Sequence, residues 1–135
     1  MRSYRTFSPL PPALRPAVLR AAFLRVVFLG APVARRGEIW LIDLGYAAKT
    51  RPSVVLSVAF GDDDRAIVSF VPRTTSVRGT RFEVTHDARG FDPGAFDAQG
   101  ISGIPSVKLI RKLGNVEPAT LAAVENAVCL WLGLA

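Results

Sequence analysis

Glu38-Ile-Trp-Leu-Ile-Asp-Leu44 and Ser53-Val-Val-Leu-Ser-Val58 are the two stretches that decide the fold of this chain of 135 residues. Each is a short run of mostly apolar residues, with Gly45 after the first run and Pro52 before the second. Runs of this length that are rich in Val, Ile and Leu and bounded by Gly or Pro are typical of β-strands. We therefore predict two consecutive strands here and assign the remaining elements outward from them.

Further short strands are predicted downstream of this pair. The polar turn Gly61–Arg65 separates the second strand from the third. The additional strands are Ala66–Val71, which Pro72 ends, Arg81–Val84, and a short one marked by Phe96 and Ile101 within the otherwise irregular stretch 87–104. Short strands at this spacing favour a small closed or half-closed barrel.

Two helical segments are predicted in the C-terminal part of the chain. Ser106–Leu113 is expected to form one or two helical turns that end at Gly114. Pro118 suits the first turn of a longer helix, whose apolar residues fall on one face: Leu121, Val124, Val128 and Trp131 or Leu132. We expect this helix to dock on the barrel, so the predicted fold class is mainly β with a C-terminal helix.

The residue inventory excludes several kinds of chemistry. A single cysteine, Cys129, rules out an intrachain disulfide and a cysteine-based metal site. A single histidine, His86, rules out two-histidine catalysis and multi-histidine metal sites. No apolar run approaches the roughly 18 residues of a membrane-spanning helix, so no membrane association is predicted.

The positive charge of the chain is concentrated at its N-terminus. Residues 1–36 contain seven arginines and no acidic residue, whereas residues 37–135 contain 10 Lys or Arg and 11 Asp or Glu. The net charge of +6 therefore arises from the N-terminal segment. Because of this division, an argument for nucleic-acid binding must rest on where the few cations of the remaining chain lie.

Residues 1–33 are predicted to be a basic, proline-rich extension that is not part of the fold, and the domain is assigned to residues 34–135. The extension contains five prolines and no acidic residue. Three interpretations fit this composition. The first is a secretory signal, although Arg25 interrupts its apolar segment. The second is an organellar transit peptide. The third is upstream reading frame, with translation starting near Val33.

Three candidate groups have simple structural interpretations beside the functional ones. Asp62, Asp63 and Asp64 are adjacent carboxylates, but cation-binding loops space their ligands out, so we expect a solvated turn rather than a metal site. His86 has the chemistry of a general base, yet a surface histidine in a turn is the expected interpretation. Cys129 lies among apolar helix residues without an activating neighbour and is expected to be a small buried hydrophobe.

The segment Val71-Pro-Arg-Thr-Thr-Ser-Val-Arg-Gly-Thr-Arg81 carries the remaining chemistry. It leaves a buried strand and interleaves hydroxyl side chains with arginines, a combination that suits phosphate oxygens. If the second and third strands are antiparallel neighbours, Arg51 and Thr74 lie at the same end of the sheet. Pro52 restricts the backbone of Arg51, which would aim its guanidinium. Spacing alone does not distinguish a phosphate site from a surface arginine beside a polar loop.

Five pieces of the sequence, in order and with matching gaps, resemble the MazF/PemK toxins of toxin–antitoxin systems. They are Arg36–Leu44, Arg51–Ser57, Val71–Thr75, Phe82–Val84 and Asp97–Gln99, and the terminal helix fits the same order. The resemblance covers about residues 34–134. It implies an SH3-like small barrel of the MazF/CcdB type, a cytoplasmic homodimer, and a cognate antitoxin that blocks the site.

The resemblance also implies an activity and the residues that perform it. The family cuts single-stranded RNA sequence-selectively, without metal or cofactor, by attack of the 2′-OH on the adjacent phosphorus, which leaves 2′,3′-cyclic phosphate and 5′-OH ends. The catalytic arginine before proline matches Arg51, and the catalytic threonine after the third strand matches Thr74. Contacts to the RNA backbone are expected from Lys49, Arg73, Thr75, Ser76 and Arg78.

One departure and two rival functions accompany the resemblance. The connection from Gly45 to Thr50 is short, whereas many family members carry a longer loop there that helps to shape the RNA path. One rival is a non-catalytic toxin on the same barrel that binds a protein target, like the CcdB gyrase poisons. The other is an inactive homologue that keeps only the antitoxin contact.

Overall fold

The computed structural model describes residues 33–45 and 49–134 of the chain. The predicted N-terminal extension, apart from Val33, lies outside the described residues. The elements are β1 (Glu38–Gly45), β2 (Lys49–Val55), β3 (Ile67–Thr74), β4 (Glu83–His86), β5 (Gly94–Asp97), β6 (Ser102–Pro105), β7 (Leu109–Asn115) and α1 (Pro118–Leu132). The predicted class, mainly β with one C-terminal helix, is confirmed.

The strands form an antiparallel arrangement that closes around a core. β7, β1, β2 and β3 are consecutive neighbours, and β6 pairs with the first half of β3. A 3-10 turn, Ser106–Lys108, connects β6 to β7, so the two ends of this five-strand row are joined by three residues. The second half of β3 pairs instead with β5, which forms a hairpin with β4. β3 therefore belongs to both the barrel and the hairpin beside it.

Two apolar clusters fill the two faces of the central strands. One lies between the strands and the helix: Ile39, Val54, Val71, Phe96, Ala98, Val124, Ala127 and Val128. The other lies inside the ring of strands: Ala34, Trp40, Ile42, Val55, Val68, Phe70 and Leu109. Successive residues of a strand point to opposite faces, which is why β1, β2 and β3 each supply both clusters.

The helix α1 docks on the barrel through the predicted apolar stripe, but only part of that stripe is buried. Val124 and Val128 are buried, whereas Trp131 and Leu132 remain 43% and 49% exposed. Gly133 ends the helix in the left-handed conformation, with φ at 70°. Within residues 33–45 and 49–134, no helix is long and apolar enough to cross a membrane.

The prediction of helical turns over Ser106–Leu113 is wrong. Only Ser106–Lys108 forms a 3-10 turn, and the following residues form β7, which pairs with β1. The short apolar run in this segment fits helical and extended spacing about equally well. The open edge of β1 supplies backbone hydrogen-bond partners, and this long-range pairing overrides the local preference.

The predicted end of the third strand at Pro72 is also wrong, because β3 continues to Thr74. Pro72 lacks an N–H donor and would normally interrupt a central strand. On one side of β3, β6 pairs up to Phe70 and β5 begins at Arg73. Pro72 therefore lies where the neighbouring strand changes, and the sheet tolerates its missing donor.

Gly94 is a point of close approach between β5 and the end of β3. A Cβ atom at this position would lie 2.5 Å from the carbonyl oxygen of Thr74 and 2.8 Å from Nη1 of Arg73. The first of these is backbone, so it cannot move aside without shifting β3. Gly114 on β7 offers the opposite case, because a Cβ there would meet nothing within 4 Å.

We expect Gly94→Ala to lower the free energy of unfolding by about 1–3 kcal/mol, the usual cost of overpacking a close contact. The matched control, Gly114→Ala, should change it by less than about 0.5 kcal/mol. Urea unfolding followed by tryptophan fluorescence measures both. Equal stabilities for the two variants would contradict the close approach of β5 to β3.

Candidate functional site

A cleft of about 700 Å³ opens where β2 begins and β3 ends. Its lining includes the arginines Arg51, Arg73, Arg89 and Arg111 and one acidic residue, Asp92. The other lining residues are Leu41, Thr50, Pro52, Thr74, Thr75, Ser76, Gly90, Phe91 and Leu113. Four guanidinium groups against one carboxylate give the cleft a basic lining that suits an anion, and its hydroxyl groups suit phosphate oxygens.

Arg51 and Thr74 lie at the same end of the sheet, as the sequence predicted. β2 and β3 are antiparallel, with Ser53 opposite Pro72. The same register, continued by two residues, places Arg51 opposite Thr74. Both residues line the cleft. Proximity of these two side chains therefore follows from strand register.

The Arg51 side chain is half-buried and makes no hydrogen bond or ion pair with any residue in the described part of the chain. Its backbone carbonyl accepts a hydrogen bond of 3.3 Å from the Ser53 hydroxyl. A permanently charged guanidinium on a strand, without a carboxylate partner among these residues, has its donors available for a ligand.

The Thr74 hydroxyl is oriented by its own loop. Its oxygen accepts a hydrogen bond of 3.0 Å from the backbone N–H of Ser76. This local turn occupies one acceptor position and leaves the O–H of Thr74 able to donate. Thr75 and Ser76 follow in exposed positions and also line the cleft.

A second, smaller cleft of about 300 Å³ lies on the other side of the same two residues. It shares Arg51, Thr74 and Ser76 with the first cleft and is otherwise lined by Pro72, Arg78, Thr80, Glu83, Asp97 and Gln99. Arg51 and Thr74 therefore form the boundary between two depressions. An extended ligand that occupies both clefts must cross this boundary.

The loop that follows Thr74 is held by a single carboxylate. Oε1 of Glu83 accepts hydrogen bonds from the backbone N–H groups of Arg78, Gly79 and Thr80, at 3.0, 2.6 and 3.2 Å. Gly79 has φ at 73°, a conformation that glycine adopts easily. Glu83 thereby fixes the backbone that presents Arg78 to the smaller cleft.

Arg73 contributes to the cleft differently from what the sequence suggested. Its side chain is buried, at 4% exposure, and hydrogen bonds to His86 and to the carbonyl of Asp92 occupy Nε and Nη2. Burial lowers the pKa of Arg73, while the nearby carboxylates of Asp92 and Asp87 act in the opposite direction. Direct contact between Arg73 and a ligand stays a prediction, and its observed partners are all protein groups.

The expectation of His86 as a surface histidine in a turn is wrong. β4 extends to His86, which pairs with Gly94 on β5 and is only 6% exposed. Its ring packs against Phe91 and Phe96, with centroid distances of 5.3 and 4.7 Å. Burial lowers the pKa of His86, and the positive charge of Arg73 lowers it further, although Asp87 opposes both effects.

Sequence reasoning missed two of the arginines in the cleft. Arg89 belongs to the β4–β5 loop, defined here as residues 87–93, and Arg111 lies on β7. The predicted helical conformation over Ser106–Leu113 hid the second, because a strand paired with β1 brings Arg111 opposite Leu41. The basic, glycine-containing Ala88-Arg-Gly90 was the only available signal for the first.

The remaining candidates from the sequence lie outside the two clefts or outside the described residues. Asp62–Asp64 lie in the turn between β2 and β3, where Asp64 accepts a hydrogen bond of 2.8 Å from Gly61 N–H. Within the described ranges, no three His, Cys, Asp or Glu side chains cluster as a metal site would require. Cys129 is half-buried on α1. The side chain of Lys49 lies outside the described residues.

Several solved structures share this fold. An endoribonuclease in complex with its cognate antitoxin, from a mycobacterial species, is 28% identical over 76% of this chain and 97% of its own, with a TM-score of 0.66. The Mycobacterium tuberculosis toxin MazF-mt6 is 27% identical over 73% of this chain and 98% of its own, with a TM-score of 0.64. MazF of Deinococcus radiodurans is 26% identical over 76% of this chain and 98% of its own, also at 0.64.

A sequence model of the PemK-like, MazF-like toxins of type II toxin–antitoxin systems matches residues 35–132. That range contains every strand of the described residues, the terminal helix and both clefts. The chain belongs to the PemK-like, MazF-like family of type II toxin–antitoxin toxins.

Proposed function

We propose that this chain is the toxin of a type II system and acts as a metal-independent endoribonuclease on single-stranded RNA. The observation that carries the proposal is the placement of Arg51 beside Thr74 at the boundary of two clefts, one of them rich in arginine. Family membership and structural neighbours that are endoribonucleases support it. On the same kinship, we also propose a cognate antitoxin that blocks the site and a homodimeric state.

The proposed reaction uses a nucleophile that the substrate carries. The 2′-OH loses its proton and attacks the adjacent phosphorus, the P–O5′ bond breaks, and the 5′ oxygen takes up a proton. The products are a 2′,3′-cyclic phosphate and a 5′-OH. DNA lacks the 2′-OH and is not cut, so selectivity for RNA arises from the chemistry itself.

The two proposed catalytic residues stabilise the charge that develops in the transition state. The Arg51 guanidinium is permanently protonated, so it stabilises the phosphorane and the leaving oxygen rather than acting as a free base. The Thr74 O–H donates to a nonbridging oxygen, while its own oxygen is held by the Ser76 N–H. Such donors act best when they are already oriented before the reaction.

The two clefts define a path for the RNA on either side of the scissile phosphate. The larger cleft, with Arg89 and Arg111, holds the sugar–phosphate backbone on one side. The smaller cleft holds the neighbouring nucleotide near Arg78 and Thr80. Single-stranded RNA can follow such a bent path, because its bases are free to unstack.

The rival function, a toxin that binds a protein target without catalysis, requires neither Arg51 nor Thr74. An inactive homologue that only contacts the antitoxin does not require Arg51 or Thr74 either. RNA cleavage by the wild type and by site variants distinguishes both rival functions from the proposed one. Only a ribonuclease cleaves RNA and loses that activity when the site is changed.

Full-length protein in excess EDTA should cut a long single-stranded transcript that contains all pentanucleotide sequences, and leave 2′,3′-cyclic phosphate ends. Thr74→Val, which keeps the shape but removes the hydroxyl, should lower kcat by about 10²-fold or more. Arg51→Ala should lower it by about 10³-fold. Arg65→Ala, an exposed arginine outside both clefts, is the matched control and should retain activity.

Three results would contradict the proposal. They are a need for added metal, products that carry 3′-phosphate without a cyclic intermediate, and full activity of Arg51→Ala. Folded protein that cuts no transcript would instead favour the protein-binding rivals.

Glu83→Ala should loosen the loop that carries Ser76 and Arg78, because three backbone N–H groups lose their shared acceptor. We expect KM for a short RNA containing the mapped cleavage site to rise about tenfold, with a smaller change in kcat. Amide hydrogen exchange at residues 78–80 should accelerate in the same variant. Glu117→Ala, at an exposed position before α1 whose side chain makes no capping hydrogen bond, is the control. Unchanged exchange at residues 78–80 would exclude the anchoring role.

A further inference from the structure

A buried arginine lies next to the proposed catalytic threonine, and its observed hydrogen bonds all go to protein groups. Arg73 precedes Thr74 on β3, and its side chain is 4% exposed. Burying a guanidinium is unfavourable unless its donors are hydrogen-bonded. The partners that satisfy Arg73 therefore indicate what this residue does.

Those partners all belong to the end of β4 and to the β4–β5 loop. Nε of Arg73 donates to Nδ1 of His86 at 2.8 Å, and Nη2 donates to the carbonyl oxygens of His86, at 2.8 Å, and of Asp92. The guanidinium also lies over the ring of Phe91, with Cζ 5.1 Å from the centroid. Arg73 thus connects the strand that carries Thr74 to both ends of the loop.

The hydrogen bond to Nδ1 fixes the protonation state of His86. An imidazole nitrogen that accepts a hydrogen bond carries no proton, so His86 is neutral and its single ring proton is on Nε2. Protonation would replace this acceptor with an N–H that points at the guanidinium. The contact would then change from a hydrogen bond to repulsion between two cations.

Charged groups from several segments of the chain lie near Arg73 and His86. Arg73 from β3 and Asp87 from the β4–β5 loop act on His86 in opposite directions, and the rings of Phe91 and Phe96 add no charge. Asp92 and Asp87 act on Arg73. Burial and the cation together outweigh Asp87, so the pKa of His86 is lower than that of an exposed histidine.

The loop that Arg73 holds is one wall of the larger cleft. Arg89, Gly90, Phe91 and Asp92 face the cleft that Arg51 and Thr74 also line. Because Gly94 lies close to the Thr74 carbonyl, the backbone at the end of this loop has little room to move. A shift of the loop therefore changes the position of the wall relative to Thr74.

We propose that Arg73 is a positioning residue that fixes the β4–β5 loop as a wall of the cleft, with neutral His86 as the acceptor on which this arrangement depends. The proposal rests on the proposed ribonuclease function for its catalytic consequence, but not for its structural one. When His86 takes up a proton, the loop is released from Arg73 and cleavage slows. Because His86 is neutral at pH 7, activity falls only on the acid side.

The structural part is tested by NMR, and the chain contains one histidine, so its imidazole signals need no assignment by mutagenesis. In the full-length wild type at pH 7, the ¹⁵N shifts should identify a neutral ring with the proton on Nε2. Titration should give a pKa below that of a histidine in an unstructured peptide. A ring with its proton on Nδ1, or an unshifted or raised pKa, overturns the proposal whether or not the protein cuts RNA.

The catalytic part is tested by the pH dependence of kcat on a short RNA containing the mapped cleavage site. His86→Asn keeps an acceptor near the position of Nδ1 but cannot be protonated. The ratio of wild-type to variant activity removes the pH dependence of the RNA chemistry itself. We expect this ratio to be constant above pH 7 and to fall about tenfold per pH unit below the pKa of His86. A ratio independent of pH overturns the proposal.

Arg73 variants separate position from charge. Arg73→Lys keeps the charge but cannot reach all three acceptors, so we expect about a hundredfold loss in kcat, the scale of a misplacement of about 1 Å, with KM changed less. Amide exchange in residues 87–93 should accelerate in this variant. Full activity of Arg73→Lys shows that charge alone suffices and overturns the proposal.

Failure of the two proposals can be told apart. If wild-type protein cuts no RNA while the histidine tautomer and loop exchange behave as stated, the ribonuclease function fails and the positioning role in the fold stands. If Arg73→Lys does not fold, the wild-type titration and the His86→Asn profile still decide the question.

Discussion

Pro52 on β2 and Pro72 on β3 cannot donate backbone hydrogen bonds, and the paired part of these two strands ends beside them. Beyond that point the strands continue without this ladder and carry Arg51 and Thr74 at the rims of the clefts. The same antiparallel register that buries Val54 against Val71 therefore aligns the arginine and the threonine. The site therefore lies at the end where the pairing between β2 and β3 stops.

Two loops complete the clefts, and each is held by a charged side chain that binds backbone groups. Glu83 collects N–H groups of the loop after β3, and Arg73 donates to carbonyl groups at the two ends of the β4–β5 loop. Such contacts order the loops without using the groups that line the clefts at Arg51, Ser76 and Arg89. The RNA-cutting chemistry proposed for this chain needs orientation before reaction more than it needs additional reactive groups.

Residues 37–135 contain 10 Lys or Arg and 11 Asp or Glu, yet they form a basic cleft. The distribution of the arginines explains why. Arg51, Arg73, Arg89 and Arg111 come from three strands and one loop and converge on one depression. Most of the acidic side chains lie elsewhere, for example Asp62–Asp64 in the β2–β3 turn and Glu125 in an ion pair with Arg36 on the side of α1. Local arrangement, not net charge, determines the character of the cleft.

The sequence by itself determined the first strands, the terminal helix and the family, because short apolar runs bounded by Gly or Pro, a proline at a helix start and Arg51-Pro52 with Thr74 are local signals. It also placed Arg51 and Thr74 together, since one antiparallel pair suffices for that. Only the tertiary structure decided that Arg111 lies on a strand, that His86 is buried and that Arg73 is held by His86. These depend on pairing and burial between segments far apart in the chain, for which local composition carries no signal.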